Sequence, residues 1–306
     1  MSQKLPSLIH TAVIASLIML GVSAEGAGKG NGGIPKGVGK GNGGGSESGS
    51  SGTPYNLNIV APVQSANSDS ASTTFQADTL NDIRALAAQD WAGLDALGNN
   101  AVILDPAKIA LVTDHDVRAY FVGEDTKYRN SVGFNTQAGG IDSGNPLLMF
   151  PDASDSLGGY QTVSDAAPGV RSADTPLIPG DFIDLGNQQA GTDLNFFLVA
   201  DGAKNPKAVY SSETELNPQQ NPYMMAFAYT DGDSSYLVLG FEDSVGNGQR
   251  DYTDVVIALD IGDINIGALT ASPEPATILT LGSLIGLVGY ARHRRRQTED
   301  APPDQL

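Results

Sequence analysis

A mainly β fold is predicted for this chain of 306 residues: an antiparallel, jelly-roll-like β-sandwich with one flanking helix, plus a signal helix at the N-terminus and a transmembrane helix at the C-terminus. Three observations predict the sandwich. From Ala101 onward, short apolar runs are broken every few residues by Gly, Pro, Asn and Asp, the pattern of short strands joined by turns. Between the two ends, one stretch alone, Asp78 to Leu97, keeps a convincing helical spacing. The chain has no cysteine, so no disulfide framework replaces a hydrophobic core. About 220 residues between the terminal segments suffice for one large β-domain.

Residues 1–24 read as a secretory signal peptide. Lys4 supplies the positive charge, Thr11 to Val22 the apolar run, and Val22-Ser23-Ala24 the small residues that place cleavage between Ala24 and Glu25. Residues 25–53 form a Gly/Ser-rich flexible linker with nothing apolar to bury. It carries Gly-Lys-Gly-Asn-Gly-Gly twice, at 28–33 and 39–44. Each copy satisfies the spacing of a dinucleotide fingerprint, but neither follows a strand or opens a helix, so the match is compositional.

Residues 54–116 are the N-terminal part of the ectodomain. Tyr55 to Pro62 alternates as a first strand. In the helix at 78–97, Leu80, Ile83, Ala87, Trp91 and Leu94 share one face and Gly98 ends it. On that stripe Trp91 reads as core rather than as a sugar-stacking platform. Further strands are expected at Ala101–Leu104, Lys108–Val112, Val117–Val122, Ser131–Phe134, Pro146–Phe150, Phe182–Leu185, Leu194–Ala200, Met224–Tyr229, Tyr236–Phe241 and Asp254–Asp260. Those from residue 117 to 271 make up the sandwich domain. The loops at 135–145, 151–180 and 201–222 are long and polar, and make its most variable surface.

The formal net charge is −18. Such a surface repels phosphate backbones, which argues against nucleic-acid binding, while it attracts divalent cations and tolerates hydroxyl-rich polymers. The acidic residues are densest between Asp231 and Asp254. A strand there should join two carboxylate-bearing turns, bringing Glu242, Asp243, Asp251 and Asp254 to one end of a hairpin, with Asp231 and Asp233 as further candidates. Clustered carboxylates repel unless neutralised. Arg250 is the candidate for a structural ion pair, and a Ca²⁺ with six to eight oxygen ligands is the candidate metal. The spacing is not that of an EF-hand.

Catalytic machinery is sparse. His115 is the sole histidine between the terminal segments, set on an expected turn between Asp114 and Asp116, and there is no Gly-x-Ser-x-Gly elbow and no Walker loop. Zinc hydrolysis is disfavoured for want of His and Cys. Paired carboxylates leave glycoside hydrolysis as the open enzymatic alternative. The chain is read as non-enzymatic.

At the C-terminus, Pro273-Glu274-Pro275 precedes an uncharged apolar run at 276–291 and then Arg292, Arg294, Arg295 and Arg296 within residues 292–296. The prolines keep the boundary extended. The run is near the length of a membrane span, and the arginines stay cytoplasmic. This order resembles the PEP-CTERM sorting signal of exported proteins of Gram-negative bacteria. The resemblance implies processing by an exosortase near Pro273-Glu274-Pro275, after signal peptidase acts at the other end. It implies a transient stay in the inner membrane through 276–291, and then the cell surface or extracellular matrix. The polar tail at 297–306 is longer than the family usually carries. A plain single-pass anchor is the alternative for this segment, and a membrane-anchored ligand-binding ectodomain the alternative for the protein.

A second resemblance rests on Gly240-Phe241-Glu242-Asp243, Arg250-Asp251-Tyr252, Asp254 and Val255-Val256. It is supported upstream by Val117-Arg118-Ala119-Tyr120-Phe121, Arg129-Asn130, Gly133, Ala190-Gly191-Thr192 and Phe196-Phe197-Leu198. These residues, spanning about Val117 to Ile261, resemble the bacterial domain-of-unknown-function family 4114. Gln249 and Thr253 stand where that family usually has Asp and Asn. The resemblance implies a module of bacterial surface and matrix proteins, some of them adhesins. The expectation is an exported structural or adhesive protein of an exopolysaccharide or biofilm layer, with extracellular polysaccharide as its partner and Ca²⁺ as its candidate cofactor.

Overall fold

Antiparallel pairing builds most of the molecule. The computed structural model describes residues 53–155, 158–162, 177–232, 234–244 and 250–271. The expected signal peptide, nearly all of the linker, Asp233 and the whole segment from 272 to 306 lie outside the described residues. Among the described residues, no helix is long and apolar enough to cross a membrane.

The elements in chain order are β1 (Asn58–Ile59), α1 (Ser70–Asp78), α2 (Leu80–Ala87), β2 (Ala101–Leu104), β3 (His115–Gly123), β4 (Ser131–Asn135), β5 (Leu147–Phe150), β6 (Phe182–Gln188), β7 (Asn195–Ala200), β8 (Ala208–Ser211), β9 (Met224–Asp231), β10 (Ser234–Phe241), β11 (Val255–Asp260) and α3 (Asp263–Ala271). One sheet has the order β1-β5-β4-β7-β8 and the other β2-β9-β10-β11-β3-β6. All named pairings are antiparallel except β1 with β5.

The two sheets share one core. Phe121 of β3, Leu237 and Leu239 of β10, and Ile257 and Leu259 of β11 meet Val132, Phe134, Met149, Phe196 and Leu198 of the other sheet. Each such side chain contributes about 1.5–3 kcal/mol when fully buried. The opposite face of the six-stranded sheet is covered as well: Tyr120, Phe182, Phe227, Tyr236, Val238 and Val256 pack with Phe75, Leu80, Ile83 and Ala87 of the helices. A sheet buried on both faces needs apolar residues at successive positions. That is why Tyr236–Phe241 and Val255–Leu259 read as unbroken apolar runs. Residues 54–116 thus supply a strand to each sheet and the helical layer.

The single helix expected at 78–97 is two helices and a turn. Asp69 caps α1: its carboxylate accepts from the Ser72 amide at 2.8 Å, and its own amide donates to Ser72 Oγ at 3.3 Å. Thr79 (φ −126°) breaks the path between α1 and α2. Asp90 and Trp91 take positive φ, 49° and 62°, and end it. The apolar stripe is still a burial stripe, since Leu80, Ile83, Ala87, Trp91 and Leu94 are all buried.

Other elements differ locally. Lys108–Val112 is not a strand; Pro106 opens a 3₁₀ turn capped by Asp105, and one bridge joins Ala110 to Asp193. The first strand shrinks to two residues, because Tyr55 and Asn56 adopt positive φ. His115 opens β3 instead of lying on a turn. β8 lies inside an expected loop, and α3 has no counterpart among the expected elements.

Candidate functional site

The site is built where β10 and β11 come together. Phe241 pairs with Val255, so the residues just beyond them, Glu242 and Asp243 on one side and Asp254 on the other, are forced into contact. The Asp254 amide donates to the Phe241 carbonyl at 3.1 Å, and the Glu242 amide to the Tyr223 carbonyl at 2.9 Å. The ladder therefore continues one step past each strand.

The carboxylates are then fixed by the chain's own donors. The Asp243 amide donates to Asp254 Oδ2 at 2.8 Å. The Tyr252 amide donates to Glu242 Oε1 at 2.7 Å. Thr126 Oγ1 and Asn130 Nδ2 donate to Asp243 Oδ2 at 2.6 and 2.9 Å. Thr253 Oγ1 donates to Asp251 Oδ1 at 3.1 Å. Two supports come from far away in sequence: Trp91 Nε1 donates to the Asp251 carbonyl at 2.7 Å, and Tyr160 Oη to the Thr253 carbonyl at 2.6 Å. Tyr252 has a positive φ of 54°, and its carbonyl lies so close to Gly240 that a Cβ there would collide with it. Only glycine fits at that step of β10.

Each of the four carboxylates has one oxygen held in this way. Beyond these bonds the carboxyls meet each other: Glu242 shares a side-chain hydrogen bond with Asp251, whose backbone also supports it, and Asp254 shares one with Asp243. The carboxyls face one another as two pairs, Glu242 with Asp251 and Asp243 with Asp254. Burial pushes the Glu242 carboxyl up to about 7. The Tyr252 amide opposes that rise, and the Asp251 carboxyl adds to it. Burial likewise pushes Asp254 up to about 8, with Asp243 and Glu242 adding to it against the Asp243 amide. Such pairs hold a shared proton or a cation.

The expected site residues separate into groups. Glu242, Asp243, Asp251 and Asp254 come together. Asp231 does not join them: it pairs with Ser234 at the opposite end of β10, seven residue steps or about 23 Å from Phe241. Arg250 is exposed and stands over the Tyr223 ring, 5.5 Å from its centroid. Among the described residues its closest charge-bearing relations are to the Tyr223 and Tyr252 side chains. Among the described residues, no three His, Asp or Glu groups form a ready-made metal cage. Pro273, Glu274, Pro275, Arg292, Arg294, Arg295, Arg296, Ala24, Glu25 and Asp233 lie outside the described residues. Thr126, Trp91 and Tyr160 have no motif that would mark them as supports; Asn130 was visible only as half of an Arg-Asn pair.

Fold and site define a two-sheet, mainly β protein with a carboxyl-rich closure at one end of its larger sheet. Residues 189–262 match the family described as Domain of unknown function (DUF4114), so that stretch is similar to domains of this type. The matched stretch holds β7 to β11 and every residue of the carboxyl closure, and covers the later part of the likeness read from the sequence. No curated protein matches the chain. No solved structure matches it.

Proposed function

We propose that this is an exported, non-enzymatic structural or adhesive protein of the cell surface or extracellular matrix, whose β-sandwich is closed at one end by a cation, Ca²⁺ being the candidate. The observation that carries the cation is the pairing of four carboxyls at the β10–β11 end, Glu242 with Asp251 and Asp243 with Asp254. Two such pairs would neutralise a divalent ion, and the rest of its six to eight oxygens would come from water. Export is supported by the order of segments at the two ends, a signal-peptide pattern at 1–24 and Pro-Glu-Pro, apolar run and arginines at 272–296. The role in a polysaccharide layer is supported by the acidic, hydroxyl-tolerant surface and by the resemblance to modules of matrix proteins.

The test is a thermal melt in EDTA against millimolar Ca²⁺, with Mg²⁺ as control. An ion at about 100 times its Kd stabilises the fold by about 2.7 kcal/mol, which moves the midpoint by several degrees. The expected result is a Ca²⁺-specific rise that Asp251→Asn abolishes. An unchanged midpoint would remove the cation. Mass spectrometry of the terminal peptides from the native host tests export and sorting: loss of residues 292–296 is expected, and their retention would mean a plain anchor.

A further inference from the structure

The opposite end of the six-stranded sheet holds a cleft of about 500 Å³, within the ~300–1,000 Å³ of small-ligand sites. It forms where β3 begins, β10 begins and β11 runs into α3. Its walls are Asp114 and His115, the hydroxyl-bearing pair Ser234 and Ser235, and Asp260 with Asp263. Ile264 stands at its rim, 68% exposed although it lies on a helix whose next two residues are buried.

The polar groups of this cleft are held from behind and leave acceptors in front. Asp260 Oδ1 accepts from the Gly262 amide and lies within hydrogen-bond distance of His115 Nε2, both at 3.0 Å. Asp114 Oδ1 accepts from the Ala190 amide at 2.7 Å. Gly262, at φ +83°, lets the backbone pass against the His115 ring, where a Cβ would lie 2.7 Å from Nδ1. Asp260 Oδ2, Asp114 Oδ2 and both oxygens of Asp263 have no donor among the described residues. The lining therefore sets three carboxylates beside the hydroxyls of Thr113, Ser234 and Ser235.

That lining selects the ligand. Phosphate, sulfate and carboxylate groups would meet three carboxylates and be repelled. A large apolar molecule would strand them without partners. Unlike the pairs at the far end of the sheet, these carboxylates stand on separate supports with no hydrogen bond joining any two, so nothing here demands a neutralising metal. A ligand that donates several hydroxyls around a ring, and lays a C–H face on Ile264, satisfies each feature. We infer that this cleft binds a neutral, hydroxyl-rich ligand, one sugar unit of an uncharged polysaccharide. The inference rests on the matrix reading above and gives it a contact point.

The test is calorimetric titration of the full chain with neutral oligosaccharides from partial hydrolysis of the host's own exopolysaccharide. A uronic-acid disaccharide, spermidine and Ca²⁺ alone serve as comparison probes. The neutral fraction should bind. Affinity should fall at least tenfold in Asp263→Asn and in Ile264→Ser, both exposed positions, and stay unchanged in Asp95→Asn, an exposed carboxylate elsewhere. Equal binding by wild type and both cleft variants overturns the assignment, as does tighter binding of spermidine or the uronic acid. Cosedimentation with intact exopolysaccharide separates the two levels. If wild type and variants cosediment alike, the matrix reading stands and the cleft assignment falls. If nothing cosediments, both fall.

Discussion

Replacing Arg84 by Met should cost this fold a large part of its stability. Arg84 is fully buried. Its Nε donates to the Gln161 carbonyl at 2.8 Å, Nη2 to the Gly159 carbonyl at 3.0 Å, and Nη1 to the Val122 carbonyl. The guanidinium also lies 5.6 Å from the Tyr160 ring centre. Burial lowers its pKa, against the raising effect of the Asp155 and Tyr160 charges. Methionine fills much of the same space and donates nothing, so three carbonyls lose their partner. Each orphaned acceptor costs about 1–3 kcal/mol. The desolvation penalty of the removed cation offsets part of that, leaving a net loss of about 3–5 kcal/mol. For a domain of this size each kcal/mol is worth about 2–4 °C, so the midpoint should fall by about 10 °C in a circular-dichroism melt at pH 7. Because Tyr160 reaches the Thr253 carbonyl, the response to Ca²⁺ should weaken too. A midpoint loss below about 3 °C would refute the reasoning, since it would mean that the three bonds add nothing net.

Stability should also depend on pH in the direction opposite to that of most acidic proteins. Burial raises the carboxyls of Glu242 and Asp254 to about 7 and about 8 in the folded state. The native state then holds those protons more tightly than the unfolded chain does. Their contribution is complete below the unfolded values of 4.5 and 3.8 and is lost as pH rises through 7 to 8. In EDTA the urea midpoint at pH 5 should exceed that at pH 9, and Glu242→Gln should flatten the slope; a midpoint that climbs from pH 5 to pH 9 would contradict it. Finally, the stretch 189–262 on its own should not fold. β7 pairs with β4 and β11 with β3, both upstream of that stretch. Its isolated form should show no cooperative melt, and a sharp transition would show that β3 and β4 are dispensable.

The sequence exposes what repeats along it and conceals what is brought together from afar. Ten of the expected strands overlap observed ones because their apolar runs are long relative to their turns. The closure of Glu242, Asp243, Asp251 and Asp254 was legible because a hairpin makes its two ends neighbours. Asp231 is close to Glu242 in sequence, but an intervening strand is a rigid spacer. α1 was concealed because its signal is a cap: Phe75 is the one large apolar residue on a helix started by Asp69. α3 carries Ile264, Ile266 and Leu269, a spacing too short to tell a helix from a strand. The Trp91 bond to the Asp251 carbonyl spans 160 residues, and nothing local announces it.

The brevity of β1 decides how this molecule would bear tension. If the linker is pulled while the other end is held, force enters at residue 53. It first meets two residues paired with β5, one further bond from the Val60 amide to the Leu148 carbonyl, and then the Gln64–Phe182 bridge. These short attachments lie in series, so they would break in turn, stripping β1 from its edge while the other strands of both sheets stay paired. Load would next meet the buried Ala66 amide, which donates to Asp181 Oδ1 at 2.9 Å, and then Asp69, whose carboxylate holds Arg118 of β3 at 2.8 Å. The segment from 53 to 68 would act as slack, lengthening under a first tug and re-pairing when it eases. Through it, a tethered sandwich could yield to shear without unfolding.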